Sequence, residues 1–148
     1  MQTPPSLAIL IDGDNIGPHL VAGLWKHVVE LGQPNLQRVY RDWTTSPDWK
    51  DVLLKYAIQP MQQFRYVGGK NATDIAIVID ALDLSQSGLY DAFCLVSSDS
   101  DFTPLAIRLR QRGLKVYGFG EEKAAGAFRQ ACDRFIALGG TAKSQKAG

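Results

Sequence analysis

Two short acidic stretches carry the chemistry of this chain: Asp12-Gly13-Asp14-Asn15 near its start and Ser97-Ser98-Asp99-Ser100-Asp101 further along. Ionised carboxylates only accept, and their oxygens suit hard divalent cations or proton transfer. Twelve of the fifteen acids are aspartate, although solvated helix faces favour glutamate, so short carboxylates are being used to place charge. A third candidate, Asp74, stands in TDIAIVIDALDL, residues 73–84. Drawn as a helix at about 100° per residue, that segment sets Val78, Leu82, Ile75 and Ile79 to one side of Asp74 and Ala81, Ile77 and Leu84 to the other. An ionised carboxylate amid an apolar stripe is costly unless it is paired, hydrogen-bonded or metal-bound. Asp80 and Asp83 fall in the gap with Ala76, where solvent is the expected neighbour, and Asp80 borders the apolar arc.

Taken singly, each acidic loop also reads as a helix cap or side-chain turn, with Asp101 or Ser100 as the N-cap, and Asp74 reads as a first-turn cap or the partner of an arginine. Brought together, two carboxylates ~4 Å apart repel by about 4 kcal/mol at an effective dielectric near 20. A bound cation with oxygen ligands turns that repulsion into attraction.

The surrounding elements alternate. LAILID (7–12) is an apolar run ending in an acid, the pattern of a strand buried on both faces that opens into a polar loop. Leu20, Leu24, Val28 and Leu31 recur at helical spacing before the stop at Gly32. Further strands are expected at 36–43, 61–67, 91–98 and 114–120, helices at 46–58, 73–84, 101–113 and 122–133, and an edge strand at 134–138. Such alternation predicts an α/β fold, a three-layer α/β/α sandwich with a mostly parallel central sheet. In sheets of this kind the working crevice lies beyond the carboxyl ends of the strands, where strand order reverses. If the first and fourth strands are neighbours, both acidic loops open into it.

A length of 148 residues fits one domain, expected over 7–138, with residues 1–6 a flexible N-terminus and 139–148 (GGTAKSQKAG) a disordered tail or the start of a linker. Sixteen basic residues against fifteen acidic ones leave a net charge of +1, so any contact with a polyanion must be local. No apolar run approaches the ~20 residues of a membrane span, and the start carries neither a basic region nor a long apolar stretch. A cytoplasmic protein without a membrane partner is expected. Cys94 and Cys132 show no metal-ligand spacing and no disulfide framework, which reads as two reduced, buried thiols.

The combination of IDGDN after the first strand, GGKNATDIAIVIDAL on a helix, LVSSDSDFTPL after the fourth strand, and GLKVYGFG followed by AFRQACDRFIAL resembles the NYN domain family of the PIN-like nuclease superfamily (LabA/DUF88-like). The likeness spans residues 7 to about 138. It implies a PIN-like α/β/α fold and a negatively charged pocket that binds Mg2+ or Mn2+, with ribonuclease activity among members. RNA enters as substrate through this resemblance. Carried over by position, the family's acidic set falls on Asp12, Asp74, Asp99 and Asp101, with Asn15 and Ser97 as polar neighbours, and Asp80 matches a further family acid at the rim. The implied reaction is metal-assisted hydrolysis of RNA phosphodiester bonds by these four aspartates, Asp12 and Asp99 holding the principal ion. Lys70, in the glycine-bearing loop before the Asp74 helix, is the first candidate for a phosphate contact. The cluster Arg108, Arg110, Arg112 and Lys115 reads first as a solvated surface, and Trp43, Trp49, Tyr66 and Phe102 as core.

Two other readings remain. The same pocket could serve a non-catalytic metal- and RNA-binding regulatory module. Asp12-x-Asp14 also imitates the nucleophile and acid of haloacid dehalogenase-type phosphatases, in which the Asp74 helix has no natural place. A homodimer, and protein partners that select targets, are compatible with every reading.

Overall fold

The computed structural model describes residues 3–44, 48–63, 72–124 and 126–139. Six parallel strands, β1 (Ser6–Asp12), β2 (Gln33–Arg41), β3 (Gln59–Gln62), β4 (Ala92–Val96), β5 (Lys115–Gly120) and β6 (Arg134–Ala137), form one sheet in the order β3-β2-β1-β4-β5-β6. Among the described residues five α-helices connect them: α1 (Val21–Leu31), α2 (Lys50–Tyr56), α3 (Ala72–Ser85), α4 (Thr103–Gln111) and α5 (Gly126–Ala131). The expected three-layer α/β/α sandwich is the observed one.

The sandwich follows from strands that are apolar on both faces. Along β1, Leu7, Ile9 and Ile11 pack with Val21, Leu24 and Val28 of α1, with Trp49, and with the flank of α2. Ala8 and Leu10 point the other way, against Ile77 and Ala81 of α3, Leu105, Ala106 and Leu109 of α4, and Phe128 of α5. The period of two along a strand decides which residues meet which helix layer. β4 is buried throughout, so β1 and β4 form the centre of the sheet and the point where its strand order reverses.

The departures from expectation sit at element ends. β2 begins at Gln33 and β3 at Gln59, both taking in a proline that the sequence reading left outside a strand. β3 is the sheet edge, and β2 pairs with β3 only from Arg38 onward, so Pro34 and Pro60 can each lack an N–H without breaking the ladder. The expected strand 61–67 is therefore observed at Gln59–Gln62; positions 64–71, which include Lys70 and Tyr66, lie outside the described residues. So does the tail from residue 140. α2 is shorter than the expected 46–58, stopping at Ala57, whose φ of 54° is left-handed. α5 starts four residues later than expected, at Gly126, after a turn closed by Ala124 N–H on the Glu121 carbonyl.

Asp80, placed at the rim of the acidic set by the sequence, belongs to the scaffold. Its Oδ2 accepts from the hydroxyl of the fully buried Tyr40 at 2.7 Å and from Arg38 Nη1 at 3.2 Å, tying α3 to β2. Removing that acceptor strands a buried hydroxyl, which costs about 1–3 kcal/mol. Asp80→Ala is expected to destabilise the fold by that much in chemical unfolding, and the loss should shrink when Tyr40→Phe is added, since the orphaned hydroxyl is then gone.

Candidate metal centre

Asp12 is the last residue of β1 and shares the face of Ala8 and Leu10, so its side chain enters the layer covered by α3. It is fully buried. Its Oδ2 accepts from Asn15 Nδ2 at 2.7 Å and from Ser97 Oγ at 2.9 Å, while Oδ1 has no hydrogen-bond partner among the described residues. The loop that returns Asn15 is a tight turn in which the N–H groups of Asn15 and Ile16 both donate to the Asp12 carbonyl.

The second acidic loop is built from the end of β4 by a chain of short-range bonds. Ser97, one register step past Val96, accepts the Asp99 N–H at 3.1 Å on the hydroxyl that donates to Asp12. Asp99 Oδ1 in turn accepts the Asp101 N–H at 2.9 Å and caps the 3-10 turn Ser100–Phe102 that leads into α4. The capping role expected of Asp101 or Ser100 falls to Asp99. Gly120, at the end of β5, leaves room for this loop: a Cβ there would stand 2.7 Å from the Ser97 carbonyl oxygen.

From the other side, the first turn of α3 brings in Asp74, 9% exposed. One carboxylate oxygen from each of Asp74, Asp99 and Asp101 lies within 4.8 Å of the others. Asp12 stands outside that group of three, but its charge acts on Asp74. The Asp74 carboxyl is pushed up to about 8, first by burial, then by a hydrogen bond shared with Asp99 and by the charges of Asp12, Asp99 and Asp101. Burial also raises the Asp12 carboxyl, while the bonds from Asn15 and Ser97 hold it down. Near neutral pH the Asp74 carboxyl keeps its proton unless a positive charge joins the group.

The donor set fits a divalent cation. Three carboxylate oxygens meet within reach of one ion, all are hard donors, and a fourth buried oxygen, Asp12 Oδ1, is otherwise without a partner among the described residues. The grouping shifts the emphasis of the sequence reading, which joined Asp12 with Asp99; the three carboxylates that meet most closely are those of Asp74, Asp99 and Asp101.

α3 differs from its helical projection in one respect. It buries Thr73, Asp74, Ile77 and Ala81, while Ile75 and Ile79 face outward at 57% and 55% exposure. The helix is apolar nearly all round, so pattern alone does not say which side turns in. Ile75, Val78 and Ile79 wall a hollow of about 240 Å3 onto which Asp74 and Asp101 open.

Thr73 is a participant that the sequence reading missed. Buried at 4% exposure, it donates from Oγ1 to Asp14 Oδ2 and fastens the loop after β1 to the start of α3. Its position directly before Asp74 was the available signal. The basic cluster lies elsewhere: Arg110, Arg112 and Lys115 sit at the end of α4 and the start of β5, the edge of the sheet opposite the acids. There Arg110 pairs with Asp133 and Arg112 donates to the Leu82 carbonyl. Trp49 and Phe102 are core, as expected, and Trp43 packs edge-on against Trp49 with Arg41 over its ring.

The family model of the NYN domain matches residues 6–139, nearly the whole chain. The chain belongs to the NYN domain family. This family is generally one of PIN-like nucleases, whose members usually use divalent metals, and the acidic group of this NYN domain stands where such a metal could bind. Among solved structures, a Vibrio parahaemolyticus protein of unknown function aligns with a TM-score of 0.76 at 22% identity, over 95% of this chain and 98% of that one. That likeness supports the fold. No curated protein sequence matches this NYN domain.

Proposed function

We propose that this NYN domain is a metal-dependent ribonuclease that hydrolyses RNA phosphodiester bonds at Asp12, Asp74, Asp99 and Asp101. The observation that carries the reading is the convergence of the Asp74, Asp99 and Asp101 carboxylates within 4.8 Å at the point where strand order reverses, with the Oδ1 of buried Asp12 left without a partner among the described residues. Asp74, Asp99 and Asp101 would hold Mn2+ or Mg2+ directly, with Asp12 completing the set. When bound, such an ion polarises a phosphate oxygen and lowers the pKa of a coordinated water.

The protein's own residues supply the positioning. Asn15 and Ser97 fix the rotamer of Asp12 by holding one of its oxygens, which would leave the other for the cation. Ser97 and the Asp99 cap set the second loop relative to the first, and Thr73 on Asp14 sets α3 relative to both. Phosphate arriving at this cluster meets net negative charge until the cation is in place, so productive substrate binding should follow metal loading.

The test is a panel of end-labelled single-stranded and structured RNAs incubated with purified protein and Mn2+, Mg2+ or chelator. Cleavage with one or both metals that stops with chelator is the expected result. RNA binding without turnover in any divalent metal would replace this reading with the regulatory module. A covalent phosphate trapped on Asp12 by a phosphate analogue would replace it with the phosphatase chemistry that Asp12-x-Asp14 imitates.

A further inference from the structure

A second opening lies at the same edge of the sheet, on the side of α1. It is a cavity of about 450 Å3, bounded by Asn15, His19, Leu20, Glu121 and Leu138, with Gly17 and Gly139 at its rim. That volume lies in the range of roughly 300–1,000 Å3 typical of small-molecule sites. The cavity is tied to the acidic group at two points. Asn15 lines it while its Nδ2 donates to Asp12 Oδ2, and the Glu121 N–H donates at 2.8 Å to Ser98 Oγ, in the loop that carries Asp99.

Two glycines let lining side chains lie close to the backbone. A Cβ on Gly17 would come within 2.7 Å of the His19 ring, and one on Gly139 within 2.8 Å of Leu20 Cδ2. Leu138 is fixed by its N–H on the Gly120 carbonyl at 2.7 Å, so the wall it forms moves with β5.

The lining chemistry selects among ligands. Leu20, half-buried against the core residue Leu138, offers an apolar wall suited to the face of a flat ring. With its Nδ2 engaged by Asp12, Asn15 has an amide oxygen left as acceptor, and Glu121 adds a carboxylate. A pocket dominated by acceptors favours a base whose edge carries donors. Guanine presents adjacent N1–H and N2–H groups that one carboxylate can accept together, whereas adenine and uracil offer no such pair. His19 is the one cation-capable group of the lining and the natural neighbour for a phosphate.

We propose that this cavity is a guanine-binding subsite, in which Glu121 accepts from the base edge, Leu20 supports the ring and His19 faces the phosphate. Resting on the ribonuclease reading, it would seat the nucleotide beside the scissile bond and make cleavage guanine-directed. A carboxylate that pairs with two adjacent donors discriminates against a base edge that lacks them.

The experiment measures guanosine, inosine and adenosine 5′-monophosphate binding to the full chain by titration calorimetry, alongside mapping of Mn2+-dependent cuts in an RNA of mixed sequence. GMP is expected to bind about 10-fold or more tighter than AMP, with IMP, which lacks the N2 amino group, in between. Glu121→Gln, with a wild-type circular dichroism spectrum, should erase the preference, and cuts should cluster beside guanine. Equal binding of GMP and AMP, no binding of either, or a GMP preference unchanged in Glu121→Gln would overturn the proposal. So would metal-dependent cuts spread evenly over all bases, an outcome that leaves the ribonuclease reading standing. GMP preference without cleavage of any RNA would instead overturn the ribonuclease reading and keep the cavity as a nucleotide site.

Discussion

Asp12→Asn protein is expected to fold like the wild type and to lose metal-dependent RNA cleavage by about 100-fold or more. The replacement is isosteric. The amide oxygen can still accept from Asn15 and Ser97, so the turn after β1 and the link to β4 survive. The change falls on the other oxygen: Oδ1, without a partner among the described residues, becomes an NH2, and a negative charge that would attract the cation is lost. A buried charge is removed in the same step, so stability should hold or rise. Circular dichroism and thermal melting check the fold, calorimetry with Mn2+ checks the metal, and a labelled RNA checks turnover. Wild-type cleavage by a folded Asp12→Asn protein would place the chemistry elsewhere in the molecule.

The second large effect concerns stability without metal. Asp74 holds its proton up to about 8 in the folded protein, against an ordinary value of 3.8. Between those limits the folded state binds the extra proton, so its stabilising contribution is complete below the ordinary value and is lost as pH rises through about 8. Metal-free wild type should therefore melt at falling temperatures from mildly acid to mildly alkaline pH, and the raised carboxyl of Asp12 acts in the same direction. Each tenfold gain in proton affinity on folding corresponds to about 1.4 kcal/mol, and water reaching the exposed Asp101 reduces what is realised. Asp74→Asn, unable to ionise, should flatten that slope and gain about 1–2 kcal/mol at alkaline pH, a rise of roughly 3–8 °C in Tm. Mn2+ should restore the wild type by binding the folded state and do little for the variant. Metal binding must also release protons, so wild-type affinity for Mn2+ should rise with pH over the same interval. Differential scanning calorimetry across pH, with and without Mn2+, reads all of these. A metal-free wild type whose Tm rises with pH would contradict the raised carboxyl of Asp74.

The two expectations together describe a site that works against the fold. Carboxylates brought this close destabilise the empty protein and bind a cation for the same electrostatic reason, as expected when a functional group is held by a scaffold that is stable for other causes. Here that scaffold is the doubly covered pair β1 and β4, the Asp80–Tyr40 tie and the Ser97 relay.

Much of this was legible before any coordinates, and the legible parts share a cause. Runs such as LAILID and AFCLV are buried on both faces because they lie at the centre of a parallel sheet, and an acid directly after such a run must sit at its carboxyl edge. Asp12 and the Ser97–Asp101 loop were placed by that logic, and Asp74 by its position on an apolar helix. Prolines 34 and 60 obscured the strand starts, since tolerance of proline depends on whether a neighbour needs its N–H, which is a property of the sheet and not of the strand.

Local chemistry in the chain determined that these are α/β elements, that acids close the first and fourth strands, and that Asp74 is held where an isolated carboxylate would be costly. Only the tertiary structure decided that Asp74 meets Asp99 and Asp101, that α3 turns Ile77 inward and Ile75 outward, that Asp80 serves Tyr40, and that Glu121 and His19 border a cavity beside Asn15. Periodicity fixes which residues share a face within one element. Distances between elements depend on strand order and on which face each helix covers, and those are set by packing among segments far apart in the chain.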